Sequence, residues 1–295
     1  KVYNNPQKWY VRKKWLEYSL KRKSRLNSDI KILTLTCCGA YEIKYFKDNE
    51  VFTMEGDSYP ENLAFCEKSS QRFALILEKL PGVKSHSNEF EALLTYHDDT
   101  ITQKVNKWFP FDVVNLDFNE NMFKSGTKFF DAIKKLLIVQ KIKKSSFSLF
   151  LTINLIPEEY HPSNKTILDE LLNNNLRSED LIQIREKLQD IRFEDYVNYL
   201  SCLVPKFIIE EGFRNNFDVC LSESMIYVGQ NNSTRMICFI FEADFHGNPR
   251  ITLSPRIINS RLIKTINQPQ DVNTLLESNP ELKAEMQELV EKYKI

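Results

Sequence analysis

Small and polar side chains directly follow the predicted strands of this chain, where they could bind a ligand or take a proton. Carboxylates accept hydrogen bonds from ribose hydroxyls, amides both donate and accept, and a carboxylate can act as a general base. In an open α/β sheet a ligand binds outside the carboxyl ends of the strands, so residues at these places are candidates for a single crevice. The candidates are Thr36, Cys37, Cys38, Gly39 and Ala40; Glu55 and Gly56; Asn88 and Glu89; and Asp117, Phe118 and Asn119.

The elements that must position these residues begin with a predicted strand, turn, short helix and second strand. Residues 32–36 are apolar and β-branched, which is typical of a parallel strand buried on both faces. Residues 40–46 are long enough for two helical turns, and residues 51–54 predict a second buried strand that ends at Glu55. This order of parts predicts a nucleoside-binding crevice, in which Glu55 would accept hydrogen bonds from ribose hydroxyls.

The rest of the pattern continues the alternation of helices and strands. Two apolar runs, 217–228 and 234–244, flank a loop rich in glycine and asparagine, which predicts an antiparallel hairpin. We therefore predict an α/β fold with a doubly wound, mostly parallel seven-stranded sheet that ends in this hairpin. The other predicted strands are 83–86, 111–116 and 147–153, and the other predicted helices are 59–79, 126–144, 164–176, 178–213 (kinked or divided at Pro205) and a charged helix within 273–295.

The loop after the first strand has one glycine, Gly39, in a chain with only seven. A dinucleotide fingerprint needs three glycines at fixed spacing, so pyrophosphate binding is not indicated. The unit could also be a βαβ element that binds no ligand. Asn88 is equally consistent with a helix cap, because it precedes the apolar Phe90, Leu93 and Leu94.

Together the loop at 36–40, the acidic Glu55 and the closing hairpin resemble the class I S-adenosylmethionine-dependent methyltransferases. The resemblance covers roughly residues 28–245 and implies a cofactor held by the loop, with its ribose at Glu55 and Gly56 and its adenine near Asn88 and Glu89. It also implies S-adenosylmethionine as cofactor. Thr34 stands where that family usually has an acidic residue.

The segment Asp117-Phe118-Asn119 resembles the fourth motif of the same family, which lines the methyl-transfer site. The prolines of the enzymes that methylate exocyclic base amines are missing, so the acceptor is not identified. By the resemblance, Asp117 would anchor the acceptor or take its proton.

The amino-terminal segment 1–27, predicted to be a helical extension, combines basic and aromatic residues. Residues 1–31 contain ten basic and two acidic side chains, although the whole chain has a net charge of zero. Residues 8–25 could bind nucleic acid by charge and by stacking. The alternative is a helix whose aromatic face packs on the sheet and whose lysines face solvent.

Composition excludes several other classes. Apolar residues make up 42% and charged residues 27% of the chain, as in ordinary globular proteins. Neither a membrane-spanning run nor a signal segment is seen, and the six cysteines and four histidines have no metal-type spacing, so we expect a cytoplasmic protein with reduced thiols and no metal. Residues 246–295 are predicted to be a carboxyl-terminal extension that packs across the domain or binds a partner.

Two hypotheses of different classes follow. The first is methyl transfer from S-adenosylmethionine to an acceptor that could be nucleic acid. The second is a methyltransferase-like subunit without catalysis that serves as a protein-interaction or nucleic-acid-binding module.

Overall fold

The computed structural model describes residues 4–37, 39–54, 56–95, 106–118, 128–155, 178–187, 196–228, 235–247 and 255–294. These residues form a mixed α/β fold around one eight-stranded sheet. The strands are β1 Ile32–Thr34, β2 Leu63–Cys66, β3 Lys84–His86, β4 Val113–Asp117, β5 Phe147–Asn154, β6 Phe217–Val228, β7 Arg235–Phe245 and β8 Gln270–Asp271. The helices are α1 Pro6–Leu26, α2 Tyr41–Asp48, α3 Ser70–Lys79, α4 Phe90–Thr95, α5 Lys128–Ile142, α6 Ser178–Lys187, α7 Tyr196–Arg214, α8 Pro255–Thr265, α9 Val272–Ser278 and α10 Pro280–Lys292.

The sheet is mostly parallel and has one antiparallel part. Its strand order is β3-β2-β1-β4-β5-β7-β6-β8, and β7 runs antiparallel to both of its neighbours. The predicted hairpin is confirmed, since β6 and β7 pair antiparallel from Phe217 with Phe245 to Val228 with Arg235. The short β8 adds an eighth strand beside β6, where seven were predicted.

Two clusters of buried side chains lie on opposite faces of this sheet. Ile32 and Leu33 are neighbours in β1 but belong to different clusters, as the alternation of side chains in a strand requires. The cluster with Leu33 includes residues of α5, α7 and α8. The cluster with Ile32 includes residues of α1, α2, α9 and α10. Helices therefore cover both faces.

The second strand was predicted at the wrong place. Val51 and Phe52 are buried, but they form a bend, and the Val51 amide donates to the Phe46 carbonyl at the end of α2. The strand is instead Leu63–Cys66, which falls inside the predicted helix 59–79. A run of four apolar residues is too short for periodicity to distinguish a strand from a helix turn. Of the predicted helix 59–79, only the last part, Ser70–Lys79, is helical.

The structure also refines two helix predictions. Pro205 lies inside α7 without dividing it. Helix α1 begins after Asn5, whose side chain accepts from the Lys8 amide at 2.8 Å, and ends at Asn27 in the left-handed conformation. The predicted helix 164–176 lies outside the described residues.

Candidate functional site

A row of polar residues crosses the carboxyl edge of β2, β1 and β4. Thr34 pairs with Phe65 on one side and with Asn115 on the other. Two residues further along the sequence from these three stand Thr36, Glu67 and Asp117, of which Thr36 and Glu67 lie just beyond the ends of β1 and β2. Adjacent strands are about 4.8 Å apart, so the outer two of these residues are separated by roughly 10 Å. That is the scale of a nucleoside.

Asp117, the predicted catalytic residue, is held by an ion pair from α1. The Lys8 ammonium lies 2.7 Å from Asp117 Oδ1, donates to the Tyr227 hydroxyl at 3.0 Å, and stands 4.5 Å from the centre of the Trp15 ring. The Lys8 side chain is only 2% exposed, whereas that of Asp117 is 16% exposed. Sequence reasoning missed this partner, because a lysine in a basic segment reads as a solvated side chain.

A second cation from the same face of α1 lies one turn further on. The Arg12 guanidinium is buried and stands 4.9 Å and 5.0 Å from the centres of the Trp9 and Tyr41 rings. It faces Glu42 of α2, a buried carboxylate whose Oε1 accepts from the Thr34 hydroxyl at 3.4 Å. Burial raises the pKa of Glu42, and the Arg12 charge opposes this rise. Thus Glu42 of α2 places a carboxylate beside Thr34, a position at which the strand itself has no acidic residue.

The loop after β1 turns at Ala40 and packs against an aromatic ring. The residue in the left-handed conformation is Ala40, with φ of 47°, and not Gly39. Gly39 is needed because a Cβ there would lie 2.4 Å from the Tyr41 ring. Burial raises the pKa of the Cys37 thiol, and Cys38 lies outside the described residues. The close approach that glycine permits is therefore made by the chain's own aromatic ring.

The carboxylate that ends β2 is Glu67, not Glu55. Glu55 lies outside the described residues, and Gly56 is in a turn with φ of 64° that follows the bend at 51–52. Glu67 directly follows Cys66, is half-buried, and accepts from the Ser69 amide at 2.8 Å. The signal for it was present in the sequence, since an acid follows the apolar run 63–66.

The remaining predicted site residues have local contacts. Asn88 Oδ1 accepts from the Glu89 amide at 2.8 Å just before α4, and Glu89 forms an exposed ion pair with Lys68 at 3.8 Å. Phe118 packs against the Phe129 ring, with 5.2 Å between the ring centres, in the cluster on the face opposite to Asp117. Asn119 lies outside the described residues. The structure therefore brings together Thr36 and Asp117 but assigns Phe118 to packing.

The aromatic side chains of α1 are part of the core. Trp9 and Trp15 are fully buried, and the Trp15 ring is stacked on Phe150 of β5. Several of the basic side chains of α1 form ion pairs within the chain. These pairs join Lys13 to Glu285, Lys14 to Glu17 and Glu223, Lys23 to Asp29, and Arg25 to Glu242. The packed-helix alternative accounts for these rings, which are not available for stacking on bases.

Two other features are absent from the described part of the chain. None of the described helices combines the length and the hydrophobicity needed to cross a lipid bilayer. Within the same residues, histidine, cysteine and acidic side chains form no group of three or more that could hold a metal ion.

Comparison with models of protein families gives a match for this chain. No curated protein sequence matches the chain. A family model described as PP_RS20740-like matches residues 29–244, a span that contains β1 to β6, all but the last residue of β7 and the whole row at the carboxyl edge, while Lys8 and Arg12 lie before it. The match covers well over half of the chain, and the protein therefore belongs to the PP_RS20740-like family.

Proposed function

We propose that this protein binds S-adenosylmethionine at the carboxyl edge of β2, β1 and β4 and transfers its methyl group to an acceptor beside Asp117. The observation that carries the proposal is the order β3-β2-β1-β4-β5-β7-β6 with β7 reversed. It resembles the doubly wound, seven-stranded sheet of the class I methyltransferases, to which β8 adds an edge strand.

The residues at the edge fit the parts of such a cofactor. Glu67 offers a half-buried carboxylate, fixed by the Ser69 amide, for the ribose hydroxyls. Asp117 stands two strands away, at the distance expected for the methyl-bearing end. The loop at Thr36 lies between them in the row. This set replaces Glu55 by Glu67 and keeps Asp117 from the sequence-based hypothesis.

The chain's contribution to the reaction would be positioning and proton removal. The bound cofactor supplies an activated methyl group. Lys8 occupies Asp117 Oδ1, so the carboxylate is held in one orientation and its other oxygen can accept the acceptor's proton. Orientation of this kind is a large part of catalysis when the protein makes no covalent bond itself.

The second candidate is a methyltransferase-like module without catalysis. It is favoured by the Tyr41 ring beside Gly39, which occupies space next to the loop, and by the ion pair that already engages Asp117. Such a module could still bind nucleic acid through charges within residues 8–25, for example Lys21, which is exposed. The rings of that segment would not contribute.

Calorimetric titration with S-adenosylmethionine and with its demethylated product S-adenosylhomocysteine tests the proposal. We expect both to bind, and Glu67→Ala to weaken binding by about 1 to 3 kcal/mol because polar ligand groups lose their partner. Glu61→Ala is the control, since Glu61 precedes the same strand but its side chain is 81% exposed. Absence of binding to the wild type would favour the second candidate, and equal affinity of the two variants would remove the ribose role of Glu67.

A further inference from the structure

The ion pair of Lys8 and Asp117 has an unequal exposure. Asp117 is reachable from the carboxyl edge, whereas the ammonium behind it is enclosed by Tyr227 and Trp15. A ligand at the edge would therefore meet the carboxylate first, with a fixed positive charge 2.7 Å behind its Oδ1 atom. The two charges together present almost no net charge to the ligand.

An unpaired charge at this place would act strongly on a charged ligand. In a partly buried site, with an effective dielectric constant of about 20, a unit charge roughly 5 Å away changes binding by at least about tenfold. S-adenosylmethionine has a positive sulfonium where S-adenosylhomocysteine has a neutral thioether. The ratio of their affinities therefore reports the net charge beside the transferred methyl.

We infer that Lys8 is a specificity-determining residue, which cancels the charge of Asp117 and so allows the sulfonium cofactor and its neutral product to bind with similar affinity. This inference rests on the proposed function. As a consequence, electrostatic attraction alone does not make the site bind S-adenosylmethionine more tightly than its neutral product. The residue responsible comes from α1, which precedes the segment matched by the family model.

The test is a charge cycle at the pair, read by calorimetry with the two ligands. In Lys8→Met the remaining carboxylate should raise the preference for S-adenosylmethionine over S-adenosylhomocysteine about tenfold or more. In Asp117→Asn the remaining ammonium should lower that preference by a similar factor. The double variant Lys8→Met/Asp117→Asn has no charge at either position and should return to the wild-type ratio.

Two further variants separate charge from packing. Lys8→Arg keeps the charge and should keep the wild-type ratio, while Lys13→Met removes a lysine of the same helix that pairs with Glu285 at the surface and should leave the ratio unchanged. If a single variant fails to fold, the other single variant and the double variant still give the sign of the effect. Single variants that weaken both ligands equally would overturn the inference. Failure of both ligands to bind the wild type would instead overturn the proposed function.

Discussion

The two ends of α1 are both tied to the sheet by ion pairs, but at opposite edges and in different environments. Near its beginning, Lys8 is almost fully buried and lies 2.7 Å from Asp117 at the carboxyl edge. Near its end, Arg25 is 46% exposed and lies 3.3 Å from Glu242 of β7. Arg22 lies beside the same strand, 3.8 Å from Asp244.

The difference indicates what each pair is for. In each pair at the end of α1 one partner is exposed, Asp244 at 59% and Arg25 at 46%, so each pair contributes little free energy and mainly orients the helix. A buried pair is often no more stabilising than apolar side chains of similar volume, so stability alone does not explain Lys8. Its position beside the candidate acceptor site gives a reason for it.

The largest expected effect follows from removal of helix α1. Deletion of residues 1–27 should prevent cooperative unfolding or yield insoluble protein, because Trp9 and Trp15 are fully buried in the core. As a point variant, Trp15→Ala should lower the free energy of unfolding by about 3 to 5 kcal/mol, measured by denaturant titration. Leu20→Ala, at an exposed position of α1, is the control and should change it far less. A folded, soluble truncated protein would contradict the packing described here.

The next effect compares the two ion pairs directly. Lys8→Met should lower the free energy of unfolding by about 3 kcal/mol, because Asp117 loses its buried partner but is itself partly exposed. Arg25→Met should lower it by about 1 kcal/mol or less. Similar losses in the two variants, measured under the same denaturant and salt conditions, would remove the distinction between the two ends.

The smallest effect concerns pH and Glu42, the buried carboxylate that faces Arg12. Because the pKa of Glu42 is raised by burial, the folded protein takes up this proton more readily than the unfolded chain does. As pH falls from neutral through the raised pKa toward the ordinary value of 4.5, wild type should gain stability relative to Glu42→Gln. Thermal unfolding of both proteins across this range measures the difference. The exposed Glu61→Gln variant is the control, and a constant gap between wild type and Glu42→Gln would contradict the buried position.

Much of the sheet was predictable from the sequence, while its most important contact was not. The runs at 147–153 and 217–228 are long and apolar, so their strands were predicted close to the observed bounds. The four residues of β2 have no such length, and the equally apolar run at 51–54 was chosen in their place. That choice moved the candidate ribose carboxylate from Glu67 to Glu55.

The pairing of Lys8 with Asp117 left no local signal at all. The two residues are 109 positions apart, and an amphipathic helix with many lysines predicts a solvated basic face. The packing of α1 on the sheet, with Trp15 stacked on Phe150, brings Lys8 to the end of β4. In the same way, nothing in the sequence indicates that the Tyr41 ring lies where a Cβ of residue 39 would be.

The most direct test of the account is a crystal structure of the wild-type protein with S-adenosylhomocysteine. The account predicts ribose hydroxyls within hydrogen-bond distance of Glu67, the sulfur end directed toward Asp117, and the Lys8 ion pair retained behind it. A ligand bound elsewhere on the protein, or crystals that contain none at saturating concentration, would contradict the assignment of the carboxyl edge of β2, β1 and β4 as the cofactor site.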